Sequence, residues 1–259
     1  DPSMGRATAV RPSVVPFVSY AESVPRVLDA AGAASLLSRQ NAILIKPNLV
    51  EAVPPPVTTP VECVEAVIAY CRACSKASLV VAEGCGAASY DTELAFDKLG
   101  YAALSKRTGV PLLNLNTAPT ILLRNAACRV FPAFHMPAVA MDHFVISVPV
   151  LKAHSLAKIT GTLKNMMGFA PPAHYQQGGH WKKSAFHGAM HEAIRDLNRH
   201  RTPDLTLLDA RVGLAEYHLG GAECSPRVMK LVAGADPVEV DRLAASLLGF
   251  DWRSIPHLT

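Results

Sequence analysis

Ala42-Ile-Leu-Ile-Lys46-Pro47-Asn48 reads as a short buried strand, an unbroken apolar run of strand length stopped by proline. Ala77-Ser-Leu-Val-Val-Ala82 repeats the pattern and closes at Glu83-Gly84. Between them Thr59-Pro60 predicts a helix start, with Thr59 as N-cap and Pro60 at the first helical position. Val64, Val67, Ile68 and Cys71 then fall on one helical face. Working outward, helices are predicted over 92–99, 101–108, 186–199 and 236–248, the last stopped by Gly249. Strands are predicted over 111–115, 144–149, 204–209 and 230–233, and a hairpin over 118–134 with its turn at Arg124-Asn125. Strands alternating with helices imply an α/β fold, with a central, mostly parallel sheet flanked by helices. The hairpin is expected to make that sheet mixed. No repeat, low-complexity tract or linker divides the chain, so one compact domain is expected over 1–259.

Composition narrows the function classes. Half of the 259 residues are hydrophobic, 18% are charged and the net charge is +4, which is not a disordered chain. Aromatics are 6%, and basic residues cluster only between 152 and 183. That is not the basic, aromatic-laced stripe of a nucleic-acid binder. No apolar run approaches the ~20 residues that span a bilayer, and no charged-then-apolar leader opens the sequence. Asp1-Pro2-Ser3 reads as an appended remnant before a natural start at Met4. Six cysteines are too few for a disulfide scaffold. Cys71-x-x-Cys74 lies within a predicted helix and has no second CxxC to complete a zinc site. A reducing cytoplasm is the expected setting.

Ligands of open α/β sheets sit outside the carboxyl ends of strands. Lys46 and Asn48 fall at such an end, as do Glu83-Gly84-Cys85-Gly86. The glycines permit close backbone approach, but form neither a GxGxxG nor a phosphate loop. Residues 151–191 hold the densest polar set: Lys152, His154, Lys158, Thr162, Lys164, Asn165, His174, His180, Lys182, Lys183, His187 and His191. Lys158, Thr162 and Asn165 recur at helical spacing, interleaved with Met166-Met167-Gly168-Phe169, which favours burial. They build either an anion pocket or a solvated helix face. His187 and His191, four apart on a predicted helix, share a face and form either a metal chelate or a solvated pair. Neutral imidazoles there can also move protons, and binding is expected to weaken as acid protonates them. No GxSxG elbow exists, and Cys85 has no identified histidine partner.

The ordered series Lys46-Pro47-Asn48, Thr58-Thr59-Pro60, Glu83-Gly84, Leu151-Lys152-x-His154, Thr160-Gly-Thr162-Leu-Lys164-Asn165-x-x-Gly168, Lys183-x-x-x-His187, Asp209 and Asp236-Pro-Val-x-Val-Asp241 resembles the prokaryotic family called domain of unknown function 362. The resemblance covers about 40–250. Many members carry a ferredoxin-like CxxCxxCxxxC segment, which this sequence lacks. The segment after Asp209 also departs from the family pattern, reading Gly213-Leu-Ala-Glu216-Tyr-His-Leu-Gly220-Gly221. More loosely, the pattern is similar to the N-terminal part of the nickel-pincer lactate racemases, where histidines and lysines surround a cofactor and a small carboxylate. That likeness carries no cofactor across.

One cleft is therefore expected at the strand ends. His154, His187, Glu83 and Lys152 are its catalytic candidates, and Lys46, Asn48, Lys158, Thr162, Lys164 and Asn165 its binding residues. His187 and His191 are the candidate metal ligands. The expected activity is that of an enzyme on a small anionic molecule, metal-assisted or redox-linked, of oxidoreductase or isomerase type. A non-catalytic carrier of a metal, iron–sulfur cluster or cofactor is the alternative. A transition metal or iron–sulfur cluster stays open as cofactor, and a second copy or a redox protein as partner. No nucleic acid or membrane partner is expected.

Overall fold

The computed structural model describes residues 10–259, so the expected start at Met4 lies outside the described residues. In chain order, the strands are β1 (Ser13–Pro16), β2 (Ala42–Pro47), β3 (Ser78–Glu83), β4 (Leu112–Asn114), β5 (Thr120–Arg124), β6 (Ala133–Pro137), β7 (Phe144–Val148), β8 (Val150–His154), β9 (Lys158–Ile159), β10 (Leu205–Leu214) and β11 (Lys230–Gly234). The helices are α1 (Tyr20–Ala30), α2 (Ala33–Leu37), α3 (Val61–Cys74), α4 (Thr92–Lys98), α5 (Tyr101–Thr108), α6 (Val139–Asp142), α7 (Gly161–Asn165), α8 (Pro172–Tyr175), α9 (Met190–His200) and α10 (Pro237–Leu247).

The main sheet runs β1-β11-β10-β7-β2-β3-β4, and β8 extends it by pairing with β10 and β9. Pairings from β4 through β3, β2 and β7 to β10 are parallel, as is β8 with β10. β1 and β11 make the far edge antiparallel. The fold is thus α/β with a mostly parallel, mixed sheet flanked by helices. Both faces are covered, as a parallel sheet requires. Within β2, Ile43 and Ile45 join one core with α1, α2, α3 and α5, while Leu44 joins the other with α7, α9 and α10. That alternation is the two-residue period of a strand.

Several local expectations shift. β5 and β6 form a separate two-stranded sheet, so the mixed character comes from β1, β11 and β9 instead. The hairpin's return strand starts at Ala133, because the Asp196 carboxylate accepts the Val130 and Phe131 N–H groups and holds that segment in a turn. Thr59 does not cap α3. Its hydroxyl accepts the Asn48 N–H at 2.8 Å and donates to the Val148 carbonyl at 2.7 Å, joining two strand ends. The expected helix over 186–199 is a 3-10 turn, Ser184–Ala189, followed by α9 after a break at Ala189.

From β2 the chain moves outward to β3 and β4, then returns on the other side of β2 as β7 and proceeds to β10. The β2–β7 boundary is where strand order reverses, and a crevice opens beyond the strand ends at such a point.

Candidate functional site

A buried polar lattice fills that boundary. Lys46, at the end of β2, donates from Nζ to Glu83 Oε1 at 2.8 Å, to Asn165 Oδ1 at 3.0 Å and to the Pro47 carbonyl at 2.8 Å. Glu83, at the end of β3, also accepts the Leu49 and Gly84 N–H groups. Asn165, at the end of α7, donates to Ser147 Oγ of β7 and accepts from Asn48 Nδ2. Asn48 Oδ1 in turn accepts from Lys152 Nζ at 2.9 Å, and Lys152 donates a second proton to the Val57 carbonyl. All five side chains are buried. Burial pulls both lysines below the usual amine range, against the pull of Glu83.

Glycine is required where backbone crosses this lattice. A Cβ on Gly168 would strike Glu83 Oε1 and Lys46 Cε, and one on Gly84 would strike the Gly168 carbonyl. Gly161, at φ +60°, lies against the Asp241 carboxylate, which accepts the Thr162 and Leu163 N–H groups at the start of α7. Burial pushes Asp241 up to about 7.

Beside the lattice lies a cleft of about 350 Å³, within the size range of small-molecule sites. Lys164, His154, His187, His218 and Lys183 are among its lining residues. Lys183 Nζ is held by Asn116 Oδ1 and the Ala170 carbonyl, and burial lowers its pKa to about 7. Lys164 differs: no protein group neutralises or hydrogen-bonds its ammonium among the described residues, and burial, then Lys46, bring its pKa to about 8. His154 accepts the Leu156 and Ala157 N–H groups at Nδ1, so its ring proton belongs on Nε2. Burial and the charge of Lys164 lower the pKa of His154 and take that of His218 to about 3. The same two causes lower His187. The cleft therefore offers one cation without a bonded partner among neutral imidazoles, with the Glu51 carboxyl, pushed up by burial, also in its lining.

The expected residues divide accordingly. Lys46, Asn48, Glu83, Lys152 and Asn165 meet in the lattice, while His154, Lys164 and His187 meet in the cleft. Thr162 turns its hydroxyl to Thr206 beneath them. Lys158 is not on α7. It lies exposed in β9 at φ 67°, so its helical spacing to Thr162 has no structural counterpart. His187 and His191 do not share a helical face: His187 lies in the 3-10 turn beside the cleft, whereas His191 Nδ1 meets His257 Nδ1 at 2.7 Å. Sequence reasoning missed His218 and the anchoring of Lys183 by Asn116. A signal for His218 was available, since it sits in the glycine-bounded loop after the Asp209 strand.

The family described as Domain of unknown function (DUF362) matches residues 43–246. The chain belongs to this family. The match takes in every lattice and cleft residue of this DUF362 chain, and leaves out β1, α1 and α2. No curated protein matches it in sequence. Among solved structures it is similar to the lactate racemase apoprotein from Thermoanaerobacterium thermosaccharolyticum, with a TM-score of 0.56 at 11% identity. The likeness covers 92% of this chain and 57% of that one, so the DUF362 chain spans little more than half the racemase's length. It is a likeness of fold.

The donor set of this DUF362 chain does not fit a metal or cluster held by the chain alone. Among the described residues, no group of three or more His, Cys, Asp or Glu side chains could hold an ion. A cluster of the iron–sulfur kind asks for four thiolates. All six cysteines are free, and burial pushes the thiols of Cys63, Cys71, Cys85 and Cys128 up, away from thiolate. His154 and His218 stack with centroids 3.8 Å apart and planes at 27°. Rings lying face to face direct their lone pairs in nearly parallel planes, not to one point.

Proposed function

We propose that the chain is an enzyme that binds a small anion, a carboxylate or phosphate, in the Lys164 cleft and moves a proton on it. The observation carrying this reading is the Lys164 ammonium: among the described residues it is the cleft cation with no protein oxygen bonded to it, and it stands half-buried where an anion can reach it. Lys46, Lys152 and Lys183 already donate to protein oxygens and act as scaffold. The charge of Lys46 is answered by Glu83, and Lys183 adds positive potential at the lower end of the neutral range without needing to touch the ligand.

His154 donates its Nε2 proton and orients the anion. His187, which is neutral because burial and Lys164 disfavour its charge, is the general base. Lys164 stabilises negative charge that develops as the proton leaves. The fold shared with a lactate racemase supports a 2-hydroxy acid as the first probe. Six unpaired cysteines support a reducing, cytoplasmic setting, and no helix of the described residues is long and apolar enough to cross a membrane.

Calorimetric titration with acetate, L-lactate and inorganic phosphate tests the binding step, with Lys164→Met as the control. Proton NMR of lactate in deuterated buffer tests the chemistry through exchange at its Cα. Saturable binding that Lys164→Met abolishes supports the reading. Binding that survives that substitution sinks it, and tight binding without exchange leaves the carrier alternative.

A further inference from the structure

The mouth of the cleft differs in chemistry from its interior. Leu156, Trp181 and Tyr217 line it and stand 48%, 43% and 44% exposed. They come from three separate segments: the turn after β8, the loop before the 3-10 turn, and the loop after β10. Single exposed apolar residues are ordinary, but three large ones converging on one pocket that holds lysines and histidines are not. They are also continuous with the interior. Tyr217 packs edge-on against His218 at 4.6 Å, and His218 stacks on His154 at 3.8 Å. An aromatic column thus runs from the open rim to the buried imidazole that faces Lys164.

We propose that the ligand is an amphipathic anion, an acidic headgroup joined to a flat apolar or aryl body. The headgroup meets Lys164 and His154, and the body lies against Trp181, Tyr217 and Leu156. This rests on the anion-binding reading of the same cleft. A purely hydrophilic anion leaves the three rim side chains in water, whereas an aryl body covers them and gains apolar burial and ring–ring contact. The rim therefore selects among anions, and the interior selects for them.

Three probes separate the parts: acetate has the headgroup alone, phenylacetate has headgroup and ring, and benzyl alcohol has the ring without charge. The dissociation constant of phenylacetate should lie at least tenfold below that of acetate. In a Trp181→Ala, Tyr217→Ala double variant, checked for an unchanged thermal melt, that ratio should collapse to about one. Equal affinities for acetate and phenylacetate in the unaltered protein overturn the proposal and leave the anion reading standing. A ratio that survives the double variant also overturns it. If benzyl alcohol binds as tightly as phenylacetate, the cleft is merely apolar, and both readings fall.

Discussion

Lys46 Nζ and Glu83 Oε1 meet at 2.8 Å with both side chains almost wholly out of water, and the backbone of Gly168 passes directly over the pair. Removing one partner strands the other's charge. Lys46→Met should therefore cost about 3–5 kcal/mol of stability, the usual penalty for breaking a buried ion pair. Adding Glu83→Gln should recover part of that loss. Urea unfolding of the two single variants and the double variant measures the coupling, and strict additivity would contradict the interaction.

Gly168→Ala should be destabilising by about 1–3 kcal/mol, as for overpacking elsewhere, because its methyl group occupies space held by Glu83 and Lys46. Gly188→Ala is the matched control, since nothing lies within 4 Å of its added Cβ. Equal unfolding midpoints for the two variants would show that the crossing is not tight.

Anion affinity should depend on pH through amines rather than imidazoles. Lys183 and Lys164 carry pKa values of about 7 and 8, so their charge is present at lower pH and lost as pH rises through that range. Acetate binding should weaken between pH 7 and about 9. It should not weaken from pH 7 to about 5, because any imidazole that does gain a proton there adds positive charge, while burial and Lys164 hold His154 and His187 below the ordinary imidazole range and His218 near 3. Lys164→Arg should extend binding to higher pH. An acid-side loss would restore the histidine control expected from the sequence.

His187→Gln and His191→Gln should separate. The first removes a cleft imidazole and should abolish proton exchange at lactate. The second removes the contact with His257 near the end of the described chain and should lower the melting temperature while leaving acetate affinity intact. Equal effects on exchange would mean that the two histidines serve one site after all.

Asp241 should make stability depend on pH in the direction opposite to a paired surface carboxylate. Its folded pKa is raised from 3.8 to about 7, so the folded state holds the proton more tightly. Its contribution is fully present below about 4 and is lost as pH rises through 7. Asp241→Asn keeps an acceptor for the Thr162 N–H and should flatten that slope. Urea unfolding at pH 4.5, 6 and 8 checks it, and parallel curves for the two proteins would rule out Asp241 as the cause.

Much of the sheet was legible because β2, β3 and β7 are short apolar runs ended by proline or glycine or charge, and such runs have few other solutions. β8 was not, since Lys152 and His154 break its hydrophobic run, and only the lattice and the backbone turn explain why those groups are buried in a strand. β1 and α1 lacked a strong local signal, with proline inside the helix at Pro25. Among the lattice residues, Lys46, Asn48 and Glu83 were singled out by their position at strand ends, and Lys152 as following the 144–149 run, although it lies inside β8. Their hydrogen-bond partners were not, because Lys46 meets Asn165 and Lys152 meets Asn48, each about a hundred residues away in sequence. His187 and His191 misled for a related reason: periodicity assumes one helix, and the break at Ala189 gives them separate neighbourhoods.

The antiparallel pairing of β1 with β11 bears on solubility. β11 carries the apolar run Leu231-Val-Ala, and β1 covers its outer ladder from Ser13↔Ala233 to Pro16↔Lys230. With that cover, the sheet ends in a four-residue strand whose final residue, proline, has no N–H to offer a neighbour. Without it, a longer hydrophobic strand would become the border, with its backbone groups open to any passing chain. A preparation lacking residues 13–16 should therefore self-associate through β11 even if the lattice and cleft, which no residue of β1 lines, are fully formed.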